Sequence, residues 1–186
     1  MGKVISFMLA SADGFFEDSE GGLDWFNVSG DFMEYSLSQL RDFGLLAFGR
    51  NTYEHMVGYW PTPEAKQADP EVAGLMNSLP KVVFSNSLEK ADWDGTTVVR
   101  DAPTQAIQQL AERADKAVAI FGVSLTASLL PSGVIDELRV MVNPVLLGQG
   151  RPLFPSLSSR VSLELVRTTA FESSNVLPCY RPLSGT

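Results

Sequence analysis

Cysteine and histidine each occur once in the 186 residues. With Cys179 alone, no internal disulfide can close and no multi-cysteine zinc site can form. With His55 as the single histidine, a histidine-rich metal centre is excluded, and Ser-His-Asp chemistry would have to run through that residue. No apolar run approaches the ~20 residues of a membrane-spanning helix. The opening stretch MGKVISFMLAS lacks the long apolar region and cleavage site of a signal peptide. It reads as a first strand, and the expected location is cytoplasmic. Basic residues are the minority, with 14 Lys and Arg against 22 Asp and Glu and a net charge of −8. That balance argues against nucleic acid, which needs a basic footprint. It leaves room for a local basic pocket around one phosphorylated ligand. What remains is chemistry built on carboxylates or on a bound cofactor.

The composition is otherwise that of a globular domain, without repeats, linkers or composition shifts, so one domain over 1–186 is expected. Strands are expected over 3–11, 44–49, 81–87, 96–100, 116–122 and 136–148, with helices over 30–43, 51–60, 70–79, 102–115 and 124–133. The first helix carries apolar residues at 33, 37 and 40 behind a cap at Asp31. Pro61 and Pro63 stop the second. The tail segments 161–171 and 175–183 read as an antiparallel strand pair. Segment 12–30, rich in Gly, Asp and Ser, reads as a long loop of the kind that covers sites. Strands and helices alternate to about residue 148, which argues for a mainly parallel α/β sheet.

Such a sheet binds ligands beyond the carboxyl ends of its strands. Three of those ends suit phosphate. In Gly49-Arg50-Asn51-Thr52, the glycine admits a close approach, the threonine offers a hydroxyl and an N–H, and the arginine can fork onto phosphate oxygens. The other reading is a plain helix start with Arg50 solvated or salt-bridged. Ser85-Asn86-Ser87 can take a ribose, a phosphate or an adenine edge, or serve as ordinary turn chemistry. Phe121-Gly122-Val123-Ser124 has the strand–glycine–helix form of an anion site, or of a turn capped by Ser124. It lacks the G-x-G-x-x-G set. Because the three ends share one sheet, together they favour one extended ligand such as a dinucleotide. His55 is assigned no chemistry, and Asp136-Glu137 reads as capping and loop bonding. Segment 146–154, with its two glycines, reads as a bend.

In this order, SADGFF, LLAFGRNTYE, KVVFSNSL and FGVSLTASLLPSGVIDELRVMVNPVLLGQGRPLF resemble the dihydrofolate-reductase-like superfamily. The likeness is greatest to stand-alone relatives of the riboflavin-biosynthesis reductase domain. It runs from about residue 3 to about 180, and the block from Ile135 to Phe154 is the most specific part. The resemblance implies a three-layer αβα sandwich around a mainly parallel, roughly eight-stranded sheet with an antiparallel C-terminal pair. It implies NADPH as cofactor, with NADH as the alternative. Arg50 would meet the 2′-phosphate and Thr52 the pyrophosphate beside Gly49. Ser85 and Asn86 would lie at the adenosine end. Gly122, Val123, Ser124 and Leu125 would wrap the pyrophosphate, and Ala10 and Gly14 would flank the nicotinamide. Two residues depart from the relatives. Asn86 replaces Arg or Thr, leaving Arg50 as the one expected cation for a 2′-phosphate, and Phe121 replaces a small residue at the phosphate turn.

The resemblance also implies an acid on the first helix that helps protonate the substrate. Glu34, 15 residues before Gly49, ranks first and Asp31 second; a solvated Glu34 is the alternative. Asp24 ranks third, in a loop where Trp25 and Phe26 stack on a flat substrate or pack in the core. No cytidine-deaminase zinc motif is present, and no metal is expected. The expected activity is hydride transfer from NAD(P)H to a small heterocycle, pteridine-like or aminouracil-like. It would be similar to that of 5-amino-6-(5-phosphoribosylamino)uracil reductase and dihydrofolate reductase. A non-catalytic nucleotide- or ligand-binding protein on the same fold is the alternative. Members of such families commonly pair, so a homodimer is expected, with the apolar strand RVMVNPVLL extending into its interface. Neither nucleic acid nor a membrane is expected as a partner.

Overall fold

Neighbouring residues on the central strands bury themselves on opposite sides of one sheet. Val4, Ala47, Val82, Val118 and Ile120 join one apolar cluster, while Ile5, Leu46, Phe48, Val83 and Ala119 join another. This is the period-two consequence of the strand pleat, and apolar residues on both faces mark strands covered twice. Each fully buried side chain of this kind contributes about 1.5–3 kcal/mol.

The computed structural model describes residues 1–28, 30–155, 157 and 159–183. In chain order its elements begin with β1 (Val4–Ser11), β2 (Phe15–Glu17), α1 (Gly30–Asp42), β3 (Phe43–Gly49), α2 (Arg50–Tyr59), α3 (Pro63–Ala68) and α4 (Pro70–Ser78). They continue with β4 (Lys81–Phe84), β5 (Thr96–Val99), α5 (Pro103–Arg113), β6 (Ala117–Phe121) and α6 (Val123–Leu129), which runs into a 3₁₀ turn. The last are β7 (Glu137–Asn143), β8 (Arg151–Pro152), β9 (Leu163–Ala170) and β10 (Val176–Pro182). Eight strands form one sheet in the order β5-β4-β3-β6-β1-β7-β10-β9. The pairings from β5 to β7 are parallel, and β10 is antiparallel to both β7 and β9. Residues of α5 and α6 pack with the first cluster, and residues of α1, α2 and α4 with the second. The architecture is therefore the expected αβα sandwich with its antiparallel C-terminal pair.

Four local expectations are corrected. Pro63 does not only end α2; it opens α3 at the first turn, where a missing N–H costs nothing, and Thr62 caps that helix by accepting from Ala65 N at 3.2 Å. The strand expected to reach 148 stops at Asn143, because Pro144 cannot donate to a ladder. There the Asn143 amide donates to Ala10 O and Met141 O, and its Oδ1 accepts from Asn27 N at 2.8 Å. The segments read as loops at 12–30 and 146–154 meet in a two-stranded ribbon, β2 with β8. Finally, β7 cannot offer an edge to a second copy, because β1 and β10 occupy both its sides. The strand left open at that end of the sheet is β9.

Candidate functional site

A cavity of ≈ 730 Å³ opens at the carboxyl ends of β1, β3, β4 and β6. That size lies within the ~300–1,000 Å³ usual for ligand sites. Its ionisable lining is unlike the rest of the chain. Arg50, Arg100 and Arg151 face it, and among the described residues Glu17 is the one carboxylate in its lining. In a chain of net charge −8, this gathers positive charge at one cleft.

The helix starts around the cavity share a further property. α2, α5 and α6 contribute Arg50, Pro103 and Val123 to the lining, and none has a side-chain cap. The caps of α2 and α6 are Gly49 and Gly122. By contrast, α3 and α4, which do not open on the cavity, are capped by Thr62 and Asp69. A glycine cap leaves the first N–H groups of a helix open to an outside acceptor.

Gly122 is held in a left-handed backbone conformation at φ 107°, and a Cβ there would overlap the Thr52 side chain. Two of the strand ends singled out in the sequence therefore touch. Arg50 donates through Nε to Glu54 Oε1 at 2.7 Å and through Nη1 to Ser87 Oγ. It is thus salt-bridged and also tied across to the end of β4. The Ser85 hydroxyl turns onto its own loop, accepting from Leu88 N at 3.0 Å and Ser87 N at 3.3 Å. Asn86 accepts, through its carbonyl, from Arg100 Nη1 at 3.3 Å. Arg151 donates to Ser124 Oγ at 3.0 Å and stands 3.6 Å from Glu17 Oε1, so the ribbon reaches across to the start of α6.

The cavity walls are apolar where the ribbon meets β1. Phe16 and Phe26 lie with ring centroids 6.3 Å apart. Phe7 meets Phe121 edge-on at 6.4 Å, and Phe121 stacks on Phe48 at 5.6 Å. The Phe121 ring is thus packed into an aromatic layer while forming part of the cavity wall. Beside the cavity, Asp13 ties the loop after β1 to the loop after β7. The Ser11 hydroxyl donates to it at 2.6 Å, and the Gly148 and Leu147 amides donate at 2.8 and 3.2 Å. The Ser11 bond first, and then the Gly148 amide, hold its carboxyl below the ordinary value.

Ten of the expected residues line this one cavity: Gly49, Arg50, Thr52, Ser85, Asn86, Gly122, Val123, Ser124, Leu125 and Phe26. The others stand apart from its lining. Ala10 is buried within β1, and Gly14 turns its carbonyl to Leu153 N. Trp25 packs edge-on against Phe26 at 4.3 Å, and Asp24 is exposed beside it. Glu34 is exposed on α1, whose buried residues are Phe32, Gln39 and Leu40. Asp31 accepts from Phe32 N at 2.9 Å and Ser173 N at 3.1 Å, fixing α1 to the β9–β10 turn.

Sequence reading passed over Arg100, Arg151, Glu17 and His55 as lining groups. Arg100 had a signal, since it directly follows the TTVV strand and so stands at a carboxyl end like the others. Arg151 and Glu17 had none, because the ribbon that brings them together pairs distant segments.

Among the described residues, no helix is long and apolar enough to cross a membrane, and no group of three or more His, Cys, Asp or Glu is placed to hold a metal.

Known proteins place this architecture. Residues 2–177 match the family described as the RibD C-terminal domain. The Bacillus subtilis (strain 168) protein YyaP, an uncharacterized protein, is 28% identical over 181 residues, covering 96% of this chain and 94% of its own length. Among solved structures, the "putative riboflavin biosynthesis protein" of Shewanella sp. PV-4 superposes with a TM-score of 0.75 at 25% identity, covering 97% of this chain and 99% of that one. Dihydrofolate reductase from Enterococcus faecalis, solved with NADP(H), superposes with a TM-score of 0.65 at 18% identity, covering 97% and 96%.

Proposed function

We propose that this chain, which belongs to the RibD C-terminal domain family, is an NAD(P)H-dependent reductase of a small heterocyclic substrate. The observation that carries the reading is the set of three arginines around one cleft of an acidic chain. A dinucleotide presents two or three phosphates, and guanidinium groups fork onto phosphate oxygens. The residues fit such a ligand in a second respect. Gly49 and Gly122 leave helix N–H groups uncovered where a side-chain cap would compete. The solved complex of Enterococcus faecalis dihydrofolate reductase with NADP(H) supports the same choice of cofactor.

In this reading Arg50 and Arg100 hold the phosphorylated adenosine end, with Ser85 and Asn86 between them. Thr52, Gly122, Val123, Ser124, Leu125 and Arg151 hold the pyrophosphate. Ala10 and Gly14 shape the nicotinamide end from behind the lining. When bound, the reduced nicotinamide supplies a hydride. The phenylalanine walls exclude water and favour a flat ring, which suits a pteridine-like or aminouracil-like substrate. Glu17 is the carboxylate that meets the substrate, accepting hydrogen bonds from its N–H or O–H groups. Glu34 and Asp31, outside the lining, reach the reacting centre only through a shift of α1. Titration with NADPH and NADH, followed by turnover assays with pterins and aminouracils, tests the proposal. Absence of binding by both cofactors at millimolar concentration contradicts it.

One observation favours the second reading, a binding protein without turnover. No carboxylate of α1 faces the cleft, so an acid on that helix is not in place to serve the substrate. Cofactor oxidation with any of these substrates excludes it.

A further inference from the structure

The cavity is shared between the two faces of the sheet. Phe7 and Leu9, two apart on β1, line it and pack with Met33 and Tyr35 of α1. Met8 between them also lines it but packs with Val123 of α6, on the opposite face. The cleft therefore crosses the carboxyl edge of the sheet, with one lobe on the α6 side and one on the side of α1 and α2. Arg151 and Glu17 belong to the α6 lobe, since Arg151 donates to Ser124 and stands beside Glu17. The other lobe is walled by Phe7, Leu9, Phe121 and Met56.

α2 enters this second lobe with Thr52, His55 and Met56, at the three- and four-residue spacing of one helix face. Met56 joins the apolar cluster of Leu37 and Leu40, so the lobe lies where α2 runs beside α1. His55 stands next to it, exposed, and is the one histidine of the chain.

We infer, on the basis of the reductase reading above, that His55 donates the proton that accompanies the hydride. Reduction of a C=N bond in a heterocycle places hydride on the carbon and moves the π pair onto the nitrogen. The protonated imidazole of His55 gives its N–H proton to that nitrogen, and the neutral ring regains one from water, to which it is exposed. One hydride and one proton convert C=N to CH–NH, and the cofactor leaves oxidised. An imidazole both gives and takes a proton near neutral pH, which no other side-chain type in the lining does as readily. The three arginines keep their protons. Glu17 holds the substrate from the α6 lobe by accepting hydrogen bonds. Glu34 is exposed outside the lining, and Asp31 is held by the Phe32 and Ser173 amides.

Turnover of NADPH with dihydrobiopterin, whose ring carries a reducible C=N bond, tests this in the full untagged chain beside His55→Gln and His55→Ala. Both variants are expected to lose about a hundredfold or more in kcat, the usual scale for removing a general acid. Their NADPH affinity and melting temperature should match the wild type, and added imidazole should restore part of the His55→Ala turnover. A second readout needs no cofactor. The single imidazole signal in the NMR spectrum should shift when dihydrobiopterin binds. Turnover of both variants within about threefold of the wild type overturns the role of His55 and leaves the reductase reading standing. So does dihydrobiopterin that binds by calorimetry without moving the imidazole signal. A loss of turnover that comes with weaker NADPH binding and a lower melting temperature also overturns it, since His55 would then serve the fold. Failure of the wild type to oxidise NADPH with any pterin or aminouracil overturns the reductase reading and this role together.

Discussion

Gly122 stands so close to Thr52 that a Cβ on the glycine would overlap the threonine side chain. This contact packs the turn after β6 against the first turn of α2, at the carboxyl ends of neighbouring strands. Gly122→Ala meets two penalties at once, the overlap and a backbone conformation at φ 107° that L side chains rarely adopt. The backbone strain costs about 1–3 kcal/mol. We expect a melting temperature lower by a few °C, the usual scale for ~1 kcal/mol in a domain of this size. We also expect NADPH binding at least tenfold weaker, as the Thr52 turn is pushed outward. Differential scanning calorimetry and isothermal titration calorimetry check the two parts.

Arg100, and not Arg50 alone, should set the choice between NADPH and NADH. Arg50 is paired with Glu54 at 2.7 Å, whereas among the described residues Arg100 donates to the neutral Asn86 carbonyl and to no carboxylate. Hydrogen bonds to charged groups contribute roughly 1.5–3 kcal/mol. Arg100→Ala is expected to weaken NADPH about tenfold or more and NADH by less than threefold. Arg50→Ala should show the same sense with a smaller ratio, and Glu54→Gln should favour NADPH by freeing Arg50. Titrations of both cofactors at two salt concentrations test this, since the preference should shrink as salt rises. Equal effects of Arg100→Ala on both cofactors would refute the assignment.

Glu17→Gln keeps the shape of the side chain and removes its charge. Because Glu17 is the carboxylate lining the cleft, turnover should fall at least tenfold. NADPH affinity should hold or rise, since Arg151 loses its neighbour at 3.6 Å. Glu34→Gln, on the exposed side of α1, should change turnover by less than twofold. Steady-state kinetics of the two variants side by side decide which carboxylate serves the reaction.

The acid limb of the stability curve should carry the signature of Glu137. Burial by itself raises its pKa, but the hydrogen bonds and charges of Arg139 and Arg167 outweigh that and hold it below 4.5. A carboxylate with a depressed folded pKa stabilises fully above its unfolded value and loses that contribution as pH falls through the folded value. Stability should therefore decline below about pH 4.5, and Glu137→Gln should flatten that part of the curve. At pH 7 the same substitution strands the largely buried Arg139, at a cost of about 3 kcal/mol. Urea melts from pH 3 to 7 measure both effects.

Much of the fold could be read from the chain because burial repeats every second residue. The pairs Val4/Ile5 and Val82/Val83 send neighbours to opposite clusters, which marks doubly covered strands. The strand-end rule then named Gly49, Thr52 and Gly122, which the structure brings to one cavity. Arg100 follows β5 in the same way and lines the same cavity, so the end of β5 belonged with the rest. Pro63 misled because proline both stops one helix and starts another. Glu34 was named from the resemblance's acid on the first helix and its spacing to Gly49, and the structure leaves it exposed and outside the cavity lining. The Arg151–Glu17–Ser124 bridge could not be read at all. It depends on β2 pairing with β8 across more than a hundred residues, and backbone pairing leaves little trace in side-chain pattern.

Isothermal titration of the wild-type chain with NADPH is the most direct measurement of the central claim, that the arginine-lined cleft holds a nicotinamide dinucleotide. The expected result is saturable binding at one site per chain, weakened at least tenfold by Arg100→Ala. Absence of heat and of thermal stabilisation at millimolar NADPH and NADH, in a chain that melts cooperatively, would contradict it.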